Sequence, residues 1–169
     1  VLSANMDIVL SRKIRAPRNP ELAIGAVSEN GKLFINNQVS SYLNVGEDYI
    51  EDEKKHQMQE IQRRTRLFRE ELPKVPVEGK TVIVTDDGVA TGSTMRATLW
   101  SLRQENPGEL IAALPVGSKR TLQELAEDAD EFIALKGIED FSAVGQFYVN
   151  FTQVEDQDVL ETIRDYNQK

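Results

Sequence analysis

Val82-Ile83-Val84-Thr85-Asp86-Asp87-Gly88-Val89-Ala90-Thr91-Gly92-Ser93-Thr94 decides how this chain folds. Val82, Ile83 and Val84 are β-favouring and apolar, the mark of a short buried strand. Asp86 and Asp87 stand at its exit, and Gly88 to Gly92 form a flexible turn. Ser93 and Thr94 open a helix whose apolar positions Met95, Leu99 and Leu102 recur at spacings of four and three, as one buried face requires. Such a turn aims free backbone N–H groups above a helix N-terminus, where the helix dipole also favours an anion. The stretch reads as a phosphate cradle.

The acidic pair narrows the ligand. Carboxylates beside a phosphate site repel the phosphate unless they bind something else, and vicinal sugar hydroxyls or a divalent cation would suit them. Two other strand-turn-helix readings fail. A receiver domain needs a phosphoacceptor Asp at the end of a later hydrophobic strand, whereas Asp128 and Asp130 precede theirs. A nucleoside-triphosphatase needs G-x-x-x-x-G-K-[ST], but Gly79-Lys80-Thr81 has Lys74 in place of the first glycine and leads into a strand.

The rest of the chain extends an α/β pattern. Ile8-Val9-Leu10 reads as a strand followed by an irregular basic loop, with Arg12, Lys13, Arg15 and Arg18 broken by Pro17 and closed by Pro20. Ala23 to Val27, the turn Glu29-Asn30-Gly31 and Leu33-Phe34-Ile35 read as a hairpin. The span 47–72 is predicted to be one long amphipathic helix carrying Ile50, Met58, Ile61, Leu67, Phe68 and Leu72. Leu110 to Val116 and Phe132 to Leu135 are further strands, separated by a helix around Thr121 to Ala126. This alternation predicts a mainly parallel central sheet flanked by helices, covered on both faces. Ligands bind at the carboxyl ends of such strands, where both the basic loop and the acidic turn lie.

Composition bounds the function. The chain has 169 residues and 40% hydrophobic content, the size of one domain with its own core, 1–169. It has no cysteine, hence no disulfide, thiol nucleophile or Cys-based metal site, and its single histidine, His56, sits in a charged helical stretch as a surface residue. The net charge of -8 argues against nucleic acid, whose backbone is bound by basic surface. No apolar run approaches the roughly eighteen residues of a membrane span, and the expectation is a cytoplasmic protein.

The strand, the acidic pair and Gly88-Val89-Ala90-Thr91-Gly92-Ser93-Thr94 resemble the phosphoribosyl pyrophosphate (PRPP) motif of type I phosphoribosyltransferases. The order of Arg12-Lys13, Pro17, Asn19 to Val27, the charged helix and Val144-Gly145-Gln146-Phe147-Tyr148 with Phe151 is similar to a "predicted phosphoribosyltransferase" branch of bacteria and archaea. The resemblance implies that Asp86 and Asp87 hold the ribose 2- and 3-hydroxyls. It implies that Ala90, Thr91, Gly92, Ser93 and Thr94 bind the 5-phosphate, and that Lys13, with Arg12, contacts pyrophosphate. It further implies Mg2+ carried by PRPP rather than held in a dedicated protein site, a nucleobase-like acceptor met by Phe147 and Tyr148, a basic-loop lid and a homodimer. Family members carry an upstream strand and glycine-containing loop. Val1-Leu2-Ser3-Ala4 reads as the tail of the helix after that loop, which predicts an N-terminally shortened domain lacking the first strand and exposing a sheet edge. The alternative function is a non-catalytic PRPP-binding regulator or pseudoenzyme.

Overall fold

The computed structural model describes residues 4–152 and 154–167. Two three-stranded sheets enclose a shared helix. The first is antiparallel and comprises β1 (Arg12–Ala16), β2 (Asn19–Val27) and β3 (Leu33–Ile35), in that order. After it come α1 (Asn37–Tyr42) and α2 (Glu47–Phe68). The second sheet is parallel, ordered β4 (Thr81–Thr85), β5 (Glu109–Ser118), β6 (Glu131–Ile138), with Val84 opposite Ala112 and Ala112 opposite Phe132. α3 (Ser93–Arg103) joins β4 to β5, α4 (Lys119–Leu125) joins β5 to β6, and α5 (Asp156–Asn167) follows.

The strand-helix-strand-helix-strand expectation is met, and the fold is α/β. The hairpin is present as β2 and β3, with Gly25 opposite Ile35 and Val27 opposite Leu33. The long helix is present as α2, while the short α1, capped by the Asn36 side chain on the Val39 N–H, has too few residues for a periodic signal.

α3 departs from the single buried face expected of it. Met95, Leu99 and Leu102 pack into one core with Val84, Leu110, Ala112, Leu114, Leu122 and Leu125. Ala97 and Ser101 are buried as well. The reason is tertiary: the antiparallel sheet lies against the opposite side of the helix, and Phe34 of β3 meets Trp100 at a ring-centroid distance of 4.8 Å.

The expectation of a sheet covered on both faces is corrected. Strand order runs β4-β5-β6 without reversal, and right-handed crossovers then place α3 and α4 on the same side. On the other face Ile83 is 47% exposed, Ile133 45% and Leu135 82%.

The strand expected at Ile8-Val9-Leu10 is likewise absent: residues 4–11 have no regular structure, and the first strand begins at Arg12. This segment faces β4 across a cavity of about 610 Å³ lined by Ile8, Val9 and Leu10 on one side and Val82, Ile83 and Val84 on the other. Without a backbone beside it, the segment has no ladder in which to be a strand. It is held instead by Arg69, which pairs with Asp7 at 2.5 Å and Glu29 at 2.8 Å, and by Leu10 packing on Phe68, Leu72, Leu160 and Ile163. Of the helix tail expected at Val1-Leu2-Ser3-Ala4, the first three residues lie outside the described residues and Ala4 has no regular structure.

Candidate functional site

β4 delivers Asp86 and Asp87 at its carboxyl end, and the chain returns through Gly92 into α3. Gly92 caps the helix in the left-handed region, φ +72°, and a Cβ there would stand 2.6 Å from Thr121 Cγ2. Only glycine satisfies both demands. The turn is pinned on its far side: the Val89 N–H donates to Val116 O at 3.0 Å, and Thr121 Oγ1 donates to Ala90 O at 2.8 Å. Thr91 Oγ1 and Ser93 Oγ are 3.1 Å apart, so the two hydroxyls share one mouth above the α3 N-terminus. The turn expected to cradle an anion therefore has its backbone held by neighbouring elements.

Within the acidic pair, Asp86 Oδ1 accepts the Asp87 N–H at 2.9 Å. Asp86 is an exposed residue, yet partial burial of its carboxyl pushes its pKa up, and the Asp87 charge adds to that against the N–H bond. A carboxylate kept short of stabilising partners is suited to accept donors from a ligand.

The basic segment differs from its expectation. Arg12, Lys13 and Arg15 lie on β1, Pro17 and Arg18 form the tight turn into β2, and Arg18 takes a left-handed φ of 64°. The cations are therefore carried by a hairpin rather than by an irregular loop. Lys13 and Ala26 pair across it, and the register shifts around Arg15. A bulge of this kind re-aims a side chain.

Lys13 Nζ donates to Ser93 Oγ at 3.3 Å, bringing a cation from 80 residues away to the cradle mouth. Arg12 Nε donates instead to Gln57 Oε1 at 3.0 Å, and Arg15 makes a fork on Glu53 at 2.5 and 3.1 Å. Gln57 Nε2 also donates to Glu53 Oε1 at 2.8 Å. Burial pushes the Glu53 carboxyl up, but the bonds from Arg15 and Gln57 prevail and hold it below the usual range. Arg12, Lys13 and Arg15 line a cavity of about 220 Å³ together with Ser11, Thr94 and Ala97. Cradle and cations thus border one another.

The aromatic residues form two pairs. Phe141 and Phe147 stack at 5.6 Å, and Tyr148 and Phe151 meet tilted at 5.4 Å. Phe147 is half-buried in its pair, and the Tyr148 hydroxyl donates to Asp87 O at 2.6 Å. Sequence reading missed this bond, Thr121 behind the cradle, and the Glu53–Gln57 support. For the last a signal existed: Glu53 and Gln57 are polar residues on the helical stripe shared with Ile50 and Ile61.

Residues 10–152 match the phosphoribosyl transferase domain family. The chain belongs to that family. This phosphoribosyl transferase domain is 34% identical over 159 residues to proteins from two strains of Mycobacterium tuberculosis, each named "Putative phosphoribosyl transferase". The match covers 94% of this chain and 36% of those proteins, so the chain spans about a third of the length of the curated relatives it matches. The crystal structure of TT1426 from Thermus thermophilus has the same fold, with TM-score 0.87 and 38% identity, over 95% of this chain and 76% of that one. No helix among the described residues is long and apolar enough to cross a membrane.

Proposed function

We propose that this domain binds PRPP with Mg2+ and transfers its phosphoribosyl group to a nitrogenous, nucleobase-like acceptor, releasing pyrophosphate. The observation that carries the reading is Lys13 Nζ at 3.3 Å from Ser93 Oγ, a cation beside a phosphate cradle with two acids at its other end. A ligand with a 5-phosphate for the cradle, a vicinal diol for the acids and a polyanionic leaving group for the cation matches all three features.

In this reading Ala90 to Thr94 take the 5-phosphate on backbone N–H groups and hydroxyls, and Asp86 and Asp87 accept hydrogen bonds from the ribose 2- and 3-hydroxyls. Lys13, supported by Arg12, offsets the charge growing on pyrophosphate as the bond from the anomeric carbon to oxygen breaks. The acceptor nitrogen forms the new bond at that carbon, through a transition state of oxocarbenium character like that of glycoside chemistry. Holding the sugar between cradle and acids fixes the reacting carbon, the entropic part of the catalysis. The β1–β2 hairpin with its Pro17-Arg18 turn is the candidate lid.

Among the described residues no group of three His, Cys, Asp or Glu stands ready to hold a metal ion. Two carboxylates suit a magnesium ion carried in on the diphosphate and completed by water, and the neighbouring cations suit the diphosphate itself. Bound there, it would neutralise charge on the departing pyrophosphate. Phe147 and Tyr148 border the acceptor side. A cytoplasmic homodimer of this single unit, 1–169, completes the proposal.

Calorimetric titration of PRPP with and without Mg2+, beside ribose 5-phosphate, tests it. The expected result is magnesium-dependent PRPP binding at least about 10-fold tighter than ribose 5-phosphate, a margin of ~1.4 kcal/mol. Equal affinities for the two would remove the pyrophosphate subsite from the reading. Tight PRPP binding without turnover of any base would favour the regulator.

A further inference from the structure

We propose that Tyr148 is a positioning residue for the acid pair, tying the aromatic segment 144–148 to the Asp87 turn so that ribose recognition depends on that segment. The inference rests on Asp86 and Asp87 as the diol-binding pair.

Two contacts join the segment to the turn. The Tyr148 hydroxyl donates to the Asp87 main-chain carbonyl at 2.6 Å, across 61 residues of sequence. Val144 packs on Gly88, where a Cβ would stand 2.9 Å from Val144 Cγ1 and 2.9 Å from Val116 O. Consecutive turn residues, Asp87 and Gly88, are thereby held from one direction by two residues of one short element, the 3-10 turn Val144–Phe147 and its successor. The Asp87 carbonyl orientation sets the plane of the 87–88 peptide. With the Asp87 N–H already bound to Asp86 Oδ1, both sides of the Asp87 backbone are fixed and its side chain projects from a defined base.

Tyr148 is itself anchored. Its ring lies against Phe151, and Phe151 fits onto Gly145, where a Cβ would come within 2.8 Å of the Phe151 ring. The hydroxyl that could have met an acceptor is thus engaged with the turn, while 39% of the residue stays open to solvent. Anything that settles on this exposed ring touches a lever on the acid pair.

The test measures affinities for ribose 5-phosphate and for inorganic phosphate in the parent chain, in Tyr148→Phe, in Asp87→Asn and in the double variant. Phenylalanine keeps the ring packing at this exposed site, and a melting temperature matching the parent confirms the fold. The expected result is about 3- to 5-fold weaker ribose 5-phosphate binding in Tyr148→Phe, the effect of one modest hydrogen bond, with phosphate binding unchanged. In the Asp87→Asn background the same substitution should have no further effect.

Unchanged ribose 5-phosphate affinity in Tyr148→Phe, in a parent that prefers this ligand over phosphate and loses the preference in Asp87→Asn, overturns the tether and leaves the diol reading standing. Equal weakening of both ligands also overturns it, because a loosened turn rather than a positioned acid would be the cause. A parent with no preference for ribose 5-phosphate over phosphate overturns both readings together.

Discussion

The cradle and the cationic strand border one site, yet they are built in opposite ways. The cradle is contiguous in sequence: Asp86 to Thr94 are consecutive, left-handed Gly92 and the first turn of α3 shape them, and Val116 and Thr121 pin the turn from behind. The cationic half is assembled from afar. Lys13 reaches Ser93 from another sheet, while Arg12 and Arg15 are oriented by Gln57 and Glu53 on α2, 45 and 38 residues away. The first half is therefore sensitive to backbone conformation, and the second to the packing of α2 on β1.

Gly92→Ala gives the strongest break. A Cβ at φ +72°, 2.6 Å from Thr121, has to move the turn. With two charge-assisted N–H bonds lost, phosphate and ribose 5-phosphate affinity should fall on the order of 100-fold. Isothermal titration checks this, and an unaltered affinity would mean that the cradle does not bind through its backbone.

Next comes Glu53→Gln, aimed at the packed half. Glu53 is buried, and the substitution leaves the Arg15 fork without its charge partner, so stability at neutral pH should drop by about 2–3 kcal/mol in urea denaturation. The sign with pH follows from the lowered carboxyl pKa of Glu53. Its stabilisation is complete above the ordinary glutamate range and is lost as pH falls through the lowered folded-state value, so the gap between parent and variant should narrow as the pH drops below the ordinary glutamate range.

The same contrast explains what was legible in the sequence. The β4–α3 unit was readable because its strand, turn chemistry and helix periodicity all lie within thirteen residues and the next two turns of helix. The placement of Arg12, Lys13 and Arg15 was not, because a cluster broken by Pro17 carries loop signals, whereas the hairpin that holds it depends on β2 and α2. Ile8-Val9-Leu10 has a strand's composition, but a strand also needs a neighbour, and composition carries no information about one. The open face of the parallel sheet was missed for a similar reason: apolar strand residues such as Ile133 and Leu135 look alike in sequence whether or not a layer covers them. The roles of individual site residues came from the family resemblance, and they remain the proposal tested by these substitutions.

Lys13→Ala separates the halves of the ligand. Lys13 stands at the cradle mouth through Ser93 but belongs to the strand that faces the smaller cavity. PRPP affinity in the presence of magnesium should fall about 10-fold, the ~1.4 kcal/mol expected of one charge-assisted contact, while ribose 5-phosphate affinity stays within about 2-fold. A parallel loss for both ligands would place Lys13 in the cradle and erase the division between local and assembled halves.

The smallest effect is expected at Asp86, and its sign is the opposite of what loss of a site residue usually brings. Burial raises the Asp86 carboxyl pKa, so ionising it costs more in the folded chain without ligand than in the unfolded one. The ionised form costs stability once the pH exceeds the ordinary aspartate range, and the cost is complete above the raised folded value. Asp86→Asn removes that cost. Its melting temperature should exceed the parent's by roughly 1–2 °C at neutral pH and match it near pH 3, where both side chains are uncharged. Ribose 5-phosphate binding should weaken in the same variant, because an amide presents one accepting oxygen where the carboxylate presents two. A protein that becomes more stable as it loses its ligand is one whose acid pair is held in readiness for hydroxyl donors. A lower melting temperature at neutral pH would instead make Asp86 part of the turn's own support, and would move ribose recognition onto Asp87 and the Tyr148 bond behind it.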